Sequence, residues 1–169
     1  MDMQDVYNDK KQLVGISKNR NEFNENEFSM STFIWITNNE GKMLVQQRSL
    51  KDDNKPGSWG ITGGAVDKGE TSLQASKREL EEELGITVDI NELVYIGTER
   101  RKRKFFDYYF LNTSKTIDEM NLQSDEVERV EWITLEEYEK NISNAINFQM
   151  FKNFYLNIYL EELKNSKSL

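Results

Sequence analysis

Short apolar stretches separated by polar turns occupy the first third of the chain, a pattern that predicts β-strands. Residues 6–7 and 12–14 flank the polar segment 8–11, which predicts an N-terminal hairpin. β-Branched and aromatic residues fill 33–37, and a partly apolar stretch fills 42–48, with a polar, glycine-containing turn between them. We expect these two stretches to form a second pair of adjacent strands.

The clearest helical pattern covers residues 71–85. Thr71 and Gln74 have the spacing of a capping box, and Gly85 can adopt the left-handed conformation that ends a helix. Three leucines form one narrow stripe at about 100° per residue and predict the face that packs on the core. They are Leu73, Leu80 and Leu84.

The remaining pattern predicts strands at 93–98, 105–111 and 127–134, a short helix at 135–140 and a long helix at 147–164. No repeat or low-complexity linker divides the chain. We therefore expect one domain over residues 1–169, with 1–28 as an N-terminal hairpin extension and 147–164 as a C-terminal helix. The mixture of elements predicts an α/β fold, an α/β/α sandwich with a mixed β-sheet.

The composition is typical of a globular, soluble protein, with 37% hydrophobic, 31% charged and 11% aromatic residues among 169. The net charge of −8 is opposite in sign to that of proteins that coat nucleic acids or membrane surfaces, so we expect neither as a partner. No apolar run approaches the roughly 18 residues of a membrane span. The first residues do not resemble a signal peptide, so we expect a cytoplasmic protein.

The chain contains no cysteine and no histidine. This composition excludes disulfides, thiolate nucleophiles, zinc–thiolate sites and Ser-His triads. Acid–base chemistry must therefore use carboxylates, lysines, tyrosines or water bound to a metal. Any bound metal must be a hard cation that accepts oxygen ligands.

An acidic cluster ends the predicted helix 71–85. Glu79, Glu82 and Glu83 lie at i, i+3 and i+4, so we expect them to share one face away from the leucine stripe. Each such pair repels by a few tenths of a kcal/mol, and the negative end of the helix dipole costs roughly 0.3–1 kcal/mol more per anion. A divalent cation would reverse the sign of these effects, and an all-oxygen ligand set favours Mg²⁺ or Mn²⁺. The alternative is a solvated acidic face that Lys77 and Arg78 partly neutralise.

The spacing around these glutamates matches a longer motif. Gly64 is followed after five residues by Glu70, and after seven more by the run from Arg78 to Ile86. Every fixed position of the Nudix box, G-x5-E-x7-R-E-U-x-E-E-x-G-U, is filled, and the chain resembles Nudix hydrolases. Similarity in strand and loop positions extends this resemblance to residues 29–140.

The resemblance implies hydrolysis of a diphosphate linked to another group, with Mg²⁺ or Mn²⁺ as cofactor and a small molecule as substrate. The implied metal ligands are Glu79, Glu82 and Glu83, and the last two also count as catalytic. Glu70 would support the site, and Arg78 would pair with carboxylates of the box. Backbone groups at Gly63 and Gly64 would contact the metal and the substrate.

A further glutamate commonly acts as ligand or base in this family, in the loop before a tryptophan-containing strand. Glu126 is our candidate, with Glu131 and Asp125 as rivals, and all three could instead merely solvate a loop. Arg48, at the end of a predicted strand, is a candidate phosphate contact or else an ion-pair partner.

Residues 6–48 look most like the isopentenyl-diphosphate isomerase-like branch of the family. The isomerases use cysteine and several histidines, which this chain lacks; Ser29 and Ala65 stand where that branch tends to carry histidine. We therefore do not expect isomerase activity. Thr62 also replaces the proline that often precedes the glycine pair.

Two features leave further alternatives open. The basic run 100–104 could attract an anionic substrate or an RNA 5′ end, or it could be a solvated hairpin tip. Trp35, Tyr108 and Phe110 could stack on a base, although alternating aromatic residues in strands usually belong to the core.

The leading hypothesis is a metal-dependent pyrophosphohydrolase of a small diphosphate derivative. A non-catalytic ligand-binding regulator and an RNA 5′-end pyrophosphohydrolase are the alternatives. The N-terminal hairpin or the C-terminal helix could form the face of a homodimer, or each could pack on its own domain.

Overall fold

The computed structural model describes residues 3–142 and 146–168. Its strands are β1 (Met3–Tyr7), β2 (Leu13–Asn19), β3 (Ser29–Thr37), β4 (Met43–Arg48), β5 (Trp59–Gly60), β6 (Thr62–Ala65), β7 (Val94–Arg101), β8 (Lys104–Asn112) and β9 (Val127–Ile133). Its helices are α1 (Ser72–Leu84), α2 (Leu135–Asn141), α3 (Ile146–Phe154) and α4 (Leu160–Lys167). Short 3-10 turns cover Ile90–Glu92 and Ile117–Glu119.

Within these residues, β3 to β9 form one mixed sheet and β1 and β2 form a separate antiparallel hairpin. The centre of the sheet is β3, which pairs in parallel with β8 and antiparallel with β6. On one side, β7 pairs antiparallel with β8. On the other side, β4 pairs antiparallel with β5 and β9.

The predicted pairing of the strands at 33–37 and 42–48 is wrong for most of their length. Only Thr37 and Met43 pair across their turn, and the two strands then diverge. The divergence follows from competition for the edge of β3, because β6 pairs with residues 31–34 of that strand. The chain between β5 and β6 therefore crosses from β4 to β3, which brings the glycine pair to the centre of the fold.

The predicted helix and its caps are confirmed in α1. Thr71 accepts a hydrogen bond from the backbone N–H of Gln74 at 3.2 Å, and Gly85 has a φ of 65°. Leu80 and Leu84 are fully buried against the sheet, as the leucine stripe predicts. This packing fixes the rotation of the helix about its axis and therefore decides where its glutamates point.

The C-terminal helices cover the opposite face of the sheet, which confirms the mixed α/β architecture with helices on both faces. Trp35 stacks on Phe151 with ring centroids 4.6 Å apart, and Phe110 packs among aromatic residues of α3 and the following turn. Both Trp35 and Phe110 are fully buried, so the hypothesis that they stack on a base is wrong.

The predicted helix at 147–164 is interrupted by a π-helical turn at Tyr155–Tyr159, which separates α3 from α4. The turn coincides with a ladder of rings on this helix: Tyr155 lies 5.6 Å from Phe151 and 5.6 Å from Tyr159, and all three contact Phe110. π-Helical turns are rare and occur mostly as single turns inside α-helices, as here.

The N-terminal hairpin packs against the larger sheet. Tyr7 and Phe28 exchange backbone hydrogen bonds of 2.9 Å, and Lys11 forms an ion pair with the buried Asp107 of β8. The division into an extension, a core and a C-terminal helix within one domain stays a prediction. None of the helices in the described residues has the length and apolar character that a membrane span needs.

Candidate active site

The glycine pair of β6 lies where two other elements approach its backbone closely. A Cβ atom on Gly64 would collide with the carboxylate of Glu79, and one on Gly63 would collide with the carbonyl oxygen of Thr32. Only a residue without a side chain fits either position, because β6 is sandwiched between β3 and α1. The carboxylate of Glu79 therefore occupies the space that a side chain at Gly64 would fill.

Three carboxylates meet beside this strand. Oxygen atoms of Glu79, Glu83 and Glu126 all lie within 4.8 Å of one another. Glu79 and Glu83 on α1 are 7% and 5% exposed, whereas Glu126, in the loop before β9, is exposed. The loop and the helix are far apart in sequence, and the pairing of β9 with β4 brings them together.

The cluster is electrostatically unfavourable when all its members are ionised. The pKa of Glu79 is raised to about 7, chiefly by burial; Arg78 opposes this rise, and the neighbouring charges of Glu126 and Glu82 contribute to it. Burial also raises the pKa of Glu83 to about 8, with contributions from Glu79 and Glu126. A buried group whose charged form is this unfavourable is typical of a site that receives a cation or a proton.

Glu83 is held by a polar pair that the sequence patterns did not predict. The amide Nε2 of Gln46 donates to Oε2 of Glu83 at 2.9 Å, and the hydroxyl of Thr62 donates to Oε1 of Gln46 at 2.8 Å. All three side chains are buried. The threonine that replaces the usual proline thus orients the glutamine, and the one available signal was a glutamine directly after the apolar first half of β4.

Arg78 ties α1 to the loop that precedes it. Its Nε and Nη2 atoms donate to the two carboxylate oxygens of Glu70 at 2.8 and 2.9 Å, and Nη2 also donates to the carbonyl of Ala65 at 2.9 Å. The remaining nitrogen, Nη1, donates to Glu79 at 2.8 Å and to Glu82 at 3.1 Å. The hydrogen bonds with Glu70 lower the pKa of that carboxyl and raise the pKa of Arg78.

The three helix glutamates differ in burial. Glu79 and Glu83 are buried, whereas the side chain of Glu82 is 54% exposed, although it shares Nη1 of Arg78 with Glu79. A helix face about 100° wide is broad enough for its two edges to have different environments. The role of Glu82 as a metal ligand stays a prediction.

The rivals of Glu126 lie outside the cluster. Asp125 faces Lys51 at 3.8 Å, and Glu131 on β9 faces Arg129 at 3.4 Å. Among the described residues, Arg78 is the one cation that forms an ion pair with a carboxylate of the cluster. Of the three cluster members it contacts Glu79 alone. The donor set of three carboxylates with this excess of negative charge fits a hard divalent cation such as Mg²⁺ or Mn²⁺.

A cavity of about 350 Å³ opens beside the cluster and is lined by Gln46 and Gly63. Five of its fifteen lining residues are aromatic, among them Trp59, Phe106 and Tyr108. We refer to it as the aromatic cavity. Phe106 and Tyr108 each stack on one ring, that of Phe33, at centroid distances of 5.8 and 5.9 Å. Sequence reasoning identified Tyr108 but missed the other two.

Arg48 lies at the edge of the aromatic cavity, where its guanidinium pairs with Asp52. The Nε atom of Arg48 donates to Asp52 at 3.1 Å, so the structure contains the ion pair that was the alternative to a phosphate contact. Its contact with substrate phosphate stays a prediction.

Comparison with known proteins gives a consistent family relationship. The family model described as the NUDIX domain matches residues 27–154. An uncharacterized Nudix hydrolase of Listeria innocua is 30% identical over 171 residues, which span 100% of this chain and 99% of that protein.

Solved structures agree with the fold. A Deinococcus radiodurans protein of known crystal structure superposes with a TM-score of 0.68 at 21% identity, covering 89% of this chain and 98% of that one. A bifunctional NMN adenylyltransferase/ADP ribose pyrophosphatase from Francisella tularensis, crystallised with AMP and a manganese ion, gives a TM-score of 0.55 at 23% identity. That match covers 80% of this chain and 42% of the other.

Proposed function

This chain belongs to the Nudix family of hydrolases that act on pyrophosphate bonds, and from that premise we propose its reaction in more detail. It uses Mg²⁺ or Mn²⁺ to hydrolyse the diphosphate bond of a nucleoside diphosphate derivative or of another compound that carries a linked diphosphate. The observation that carries this proposal is the cluster of Glu79, Glu83 and Glu126, whose oxygens lie within 4.8 Å of one another and whose first two members are buried.

Glu79, Glu82 and Glu83 would hold the divalent cation. Once bound, the cation would screen the charge of the diphosphate oxygens and lower the pKa of water near the attacked phosphorus. A manganese ion in the structure of the Francisella tularensis protein supports this choice of metal. The carboxylates of Glu82 and Glu79 lie close together, because both accept a hydrogen bond from Nη1 of Arg78.

Glu126 would take the proton from the attacking water. Its carboxylate is exposed to solvent, whereas its partners in the cluster are buried, so it can exchange the proton with bulk water after each turnover. In-line attack at one phosphorus would give two products that each carry a monophosphate or its equivalent.

The residues around the cluster would keep its geometry fixed. Gln46, oriented by Thr62, sets the position of one oxygen of Glu83. Arg78 and Glu70 lock the loop before α1 to the helix through a two-pronged ion pair. Gly63 and Gly64 leave their backbone close to the carboxylates, and with Arg48 they would contact the substrate.

The aromatic cavity would bind the group attached to the diphosphate. Trp59 and Phe106 offer flat apolar surfaces that suit a nucleobase or a comparable ring. The activity named for the Francisella tularensis protein, ADP ribose pyrophosphatase, is consistent with a substrate of this type.

A screen of diphosphate compounds with Mg²⁺ and with Mn²⁺, with the products identified, tests the reaction directly. We expect metal-dependent cleavage between two phosphates, lost by several orders of magnitude in Glu83→Gln. Glu81→Gln is the matched control, since Glu81 is an exposed glutamate of the same helix outside the cluster. Binding of nucleotide diphosphates without metal-dependent cleavage would instead indicate a ligand-binding regulator. The cytoplasmic location and a homodimer stay predictions.

A further inference from the structure

A second cavity, of about 540 Å³, lies at the tip of the hairpin that joins β7 and β8. It contains most of the basic run that the sequence singled out, together with Arg20 from the turn after β2. We call it the basic pocket, and its main lining residues are Arg20, Phe23, Arg101, Lys102, Arg103 and Lys104.

The positive charge of the basic pocket is mostly uncompensated. Arg101 pairs with Glu99 at 2.6 Å. By contrast, Arg20, Lys102, Arg103 and Lys104 have no ion-pair partner among residues 3–142 and 146–168. These four basic side chains lie together at one pocket, although the chain has a net charge of −8.

Two of the basic groups, those of Arg103 and Lys104, contact neighbouring protein atoms. Nη1 of Arg103 donates to the backbone carbonyl of Phe23 at 2.8 Å, which links the hairpin tip to the segment after β2. Lys104 is partly buried, with its Nζ 5.8 Å from the ring centroid of Phe106. Burial and the neighbouring charge of Arg20 lower the pKa of Lys104, so the arrangement has an electrostatic cost that a bound anion would remove.

The basic pocket adjoins the aromatic cavity. Arg101 and Phe106 line both of them. The aromatic cavity is also lined by Gln46, which hydrogen-bonds Glu83 of the carboxylate cluster. The aromatic cavity therefore connects the basic pocket with the neighbourhood of the cluster.

We propose that the basic pocket binds a further phosphate group, carried by the substrate at the end remote from the diphosphate that is hydrolysed. This inference rests on the proposed function, because it takes the carboxylate cluster as the place of cleavage. The pocket volume suits one phosphorylated sugar or nucleotide, and the overall negative charge of the protein disfavours a long polyanion such as RNA.

Binding in EDTA isolates the pocket from the metal-dependent reaction. The probe is adenosine 3′,5′-bisphosphate, and its binding is measured by isothermal titration calorimetry. R20Q/K104Q removes two uncompensated charges, and K10Q/K140Q removes the same charge from exposed positions outside both cavities. We expect wild type and control to bind equally, and R20Q/K104Q to bind at least about tenfold more weakly, since two charged contacts are lost.

Equal affinity in all three proteins, or no binding by wild type, would overturn the proposal. A 5′-triphosphorylated RNA hexanucleotide serves as a second probe: loss confined to the RNA would assign the pocket to RNA and also overturn it. Should R20Q/K104Q fail to fold, R20Q/K102Q tests the same charges at two exposed positions.

Turnover with Mg²⁺ connects the pocket to the reaction. NADPH and NADH differ by one phosphate, which lies away from the diphosphate. We expect kcat/KM to be higher for NADPH than for NADH in wild type, and the ratio of the two values to fall toward one in R20Q/K104Q. If both compounds are cleaved and the variant leaves this ratio unchanged, the proposal is contradicted. If no diphosphate in the screen is cleaved, these two compounds included, the result would count against the proposed function. The binding experiment in EDTA would still decide whether the pocket binds phosphate.

Discussion

Replacing Glu83 with glutamine is expected to stabilise the metal-free protein while it removes most of the activity. Burial raises the pKa of Glu83 from 4.5 to about 8, with a further contribution from Glu79 and Glu126. Because the native state holds this proton more tightly than the unfolded state, stability falls as the pH rises from about 4.5 to about 8. At pH 7 the lost stability is on the order of 3 kcal/mol, from about 1.4 kcal/mol per pH unit.

A neutral glutamine at position 83 does not have this ionisation cost. It can still accept the hydrogen bond from Gln46, and burying its amide costs about 1–2 kcal/mol. The net gain is about 1–2 kcal/mol, which for a chain of this size corresponds to a rise in Tm of roughly 3–6 °C. Thermal melting in EDTA at pH 7 measures it. At pH 5 the gain should nearly vanish, because native Glu83 is protonated at both pH values and the unfolded state gains much less from ionising this carboxyl at pH 5 than at pH 7.

The same thermal melting experiments include a control variant and can contradict the prediction. Glu81→Gln should leave the Tm almost unchanged at both pH values, since Glu81 is exposed. Mg²⁺ should raise the Tm of wild type more than that of the Glu83 variant, because only the former keeps the full ligand set. Two results would contradict the claim that burial and repulsion make ionisation of Glu83 unfavourable. One is a variant that melts clearly below wild type in EDTA at pH 7, and the other is an equal gain in Tm at pH 5 and pH 7.

Three further substitutions test the surroundings of the cluster. Gly64→Ala should lower kcat and the affinity for Mn²⁺ by about tenfold or more, because the new methyl group displaces the carboxylate of Glu79; unchanged Mn²⁺ binding in calorimetry would contradict this. Thr62→Val should cost about 1 kcal/mol of unfolding free energy by leaving Gln46 without its donor, and urea titration measures the loss, with Thr62→Ser retaining stability as the check on the hydroxyl. Arg78→Lys should destabilise the protein by about 1–2 kcal/mol, since lysine cannot reproduce the forked hydrogen bonds of the guanidinium; a stability within error of wild type in the same titration would refute it.

Local features of the sequence predicted the parts of the fold that depend on local interactions. The limits of α1 follow from Thr71, Gln74 and Gly85, whose capping interactions involve residues no more than a few positions apart. The pairing of β3 with β4 was wrong for most of its length because β6 competes with β4 for the same edge of β3. Chain proximity is a weak guide when a more distant segment fits the edge better.

In the candidate site too, the sequence predicts features that depend on local spacing but not contacts between elements distant in sequence. The spacing of Glu79 and Glu83 along one helix was readable, and the structure places both beside Gly64. The different environment of Glu82 depends on the rotation of α1 on the sheet, which the helical period alone leaves undetermined. Gln46 could not be identified as a partner of Glu83, because their hydrogen bond joins two elements whose relative position is set by the whole sheet.

Anomalous diffraction from crystals soaked in Mn²⁺ at neutral pH tests the central claim most directly. The account predicts one or more manganese peaks in contact with carboxylate oxygens of Glu79 and Glu83, with ligand distances of about 2.0–2.3 Å. No peak at this position, in crystals where Mn²⁺ is present and the cluster is open to solvent, would contradict the claim that these buried carboxylates are arranged to hold a divalent cation.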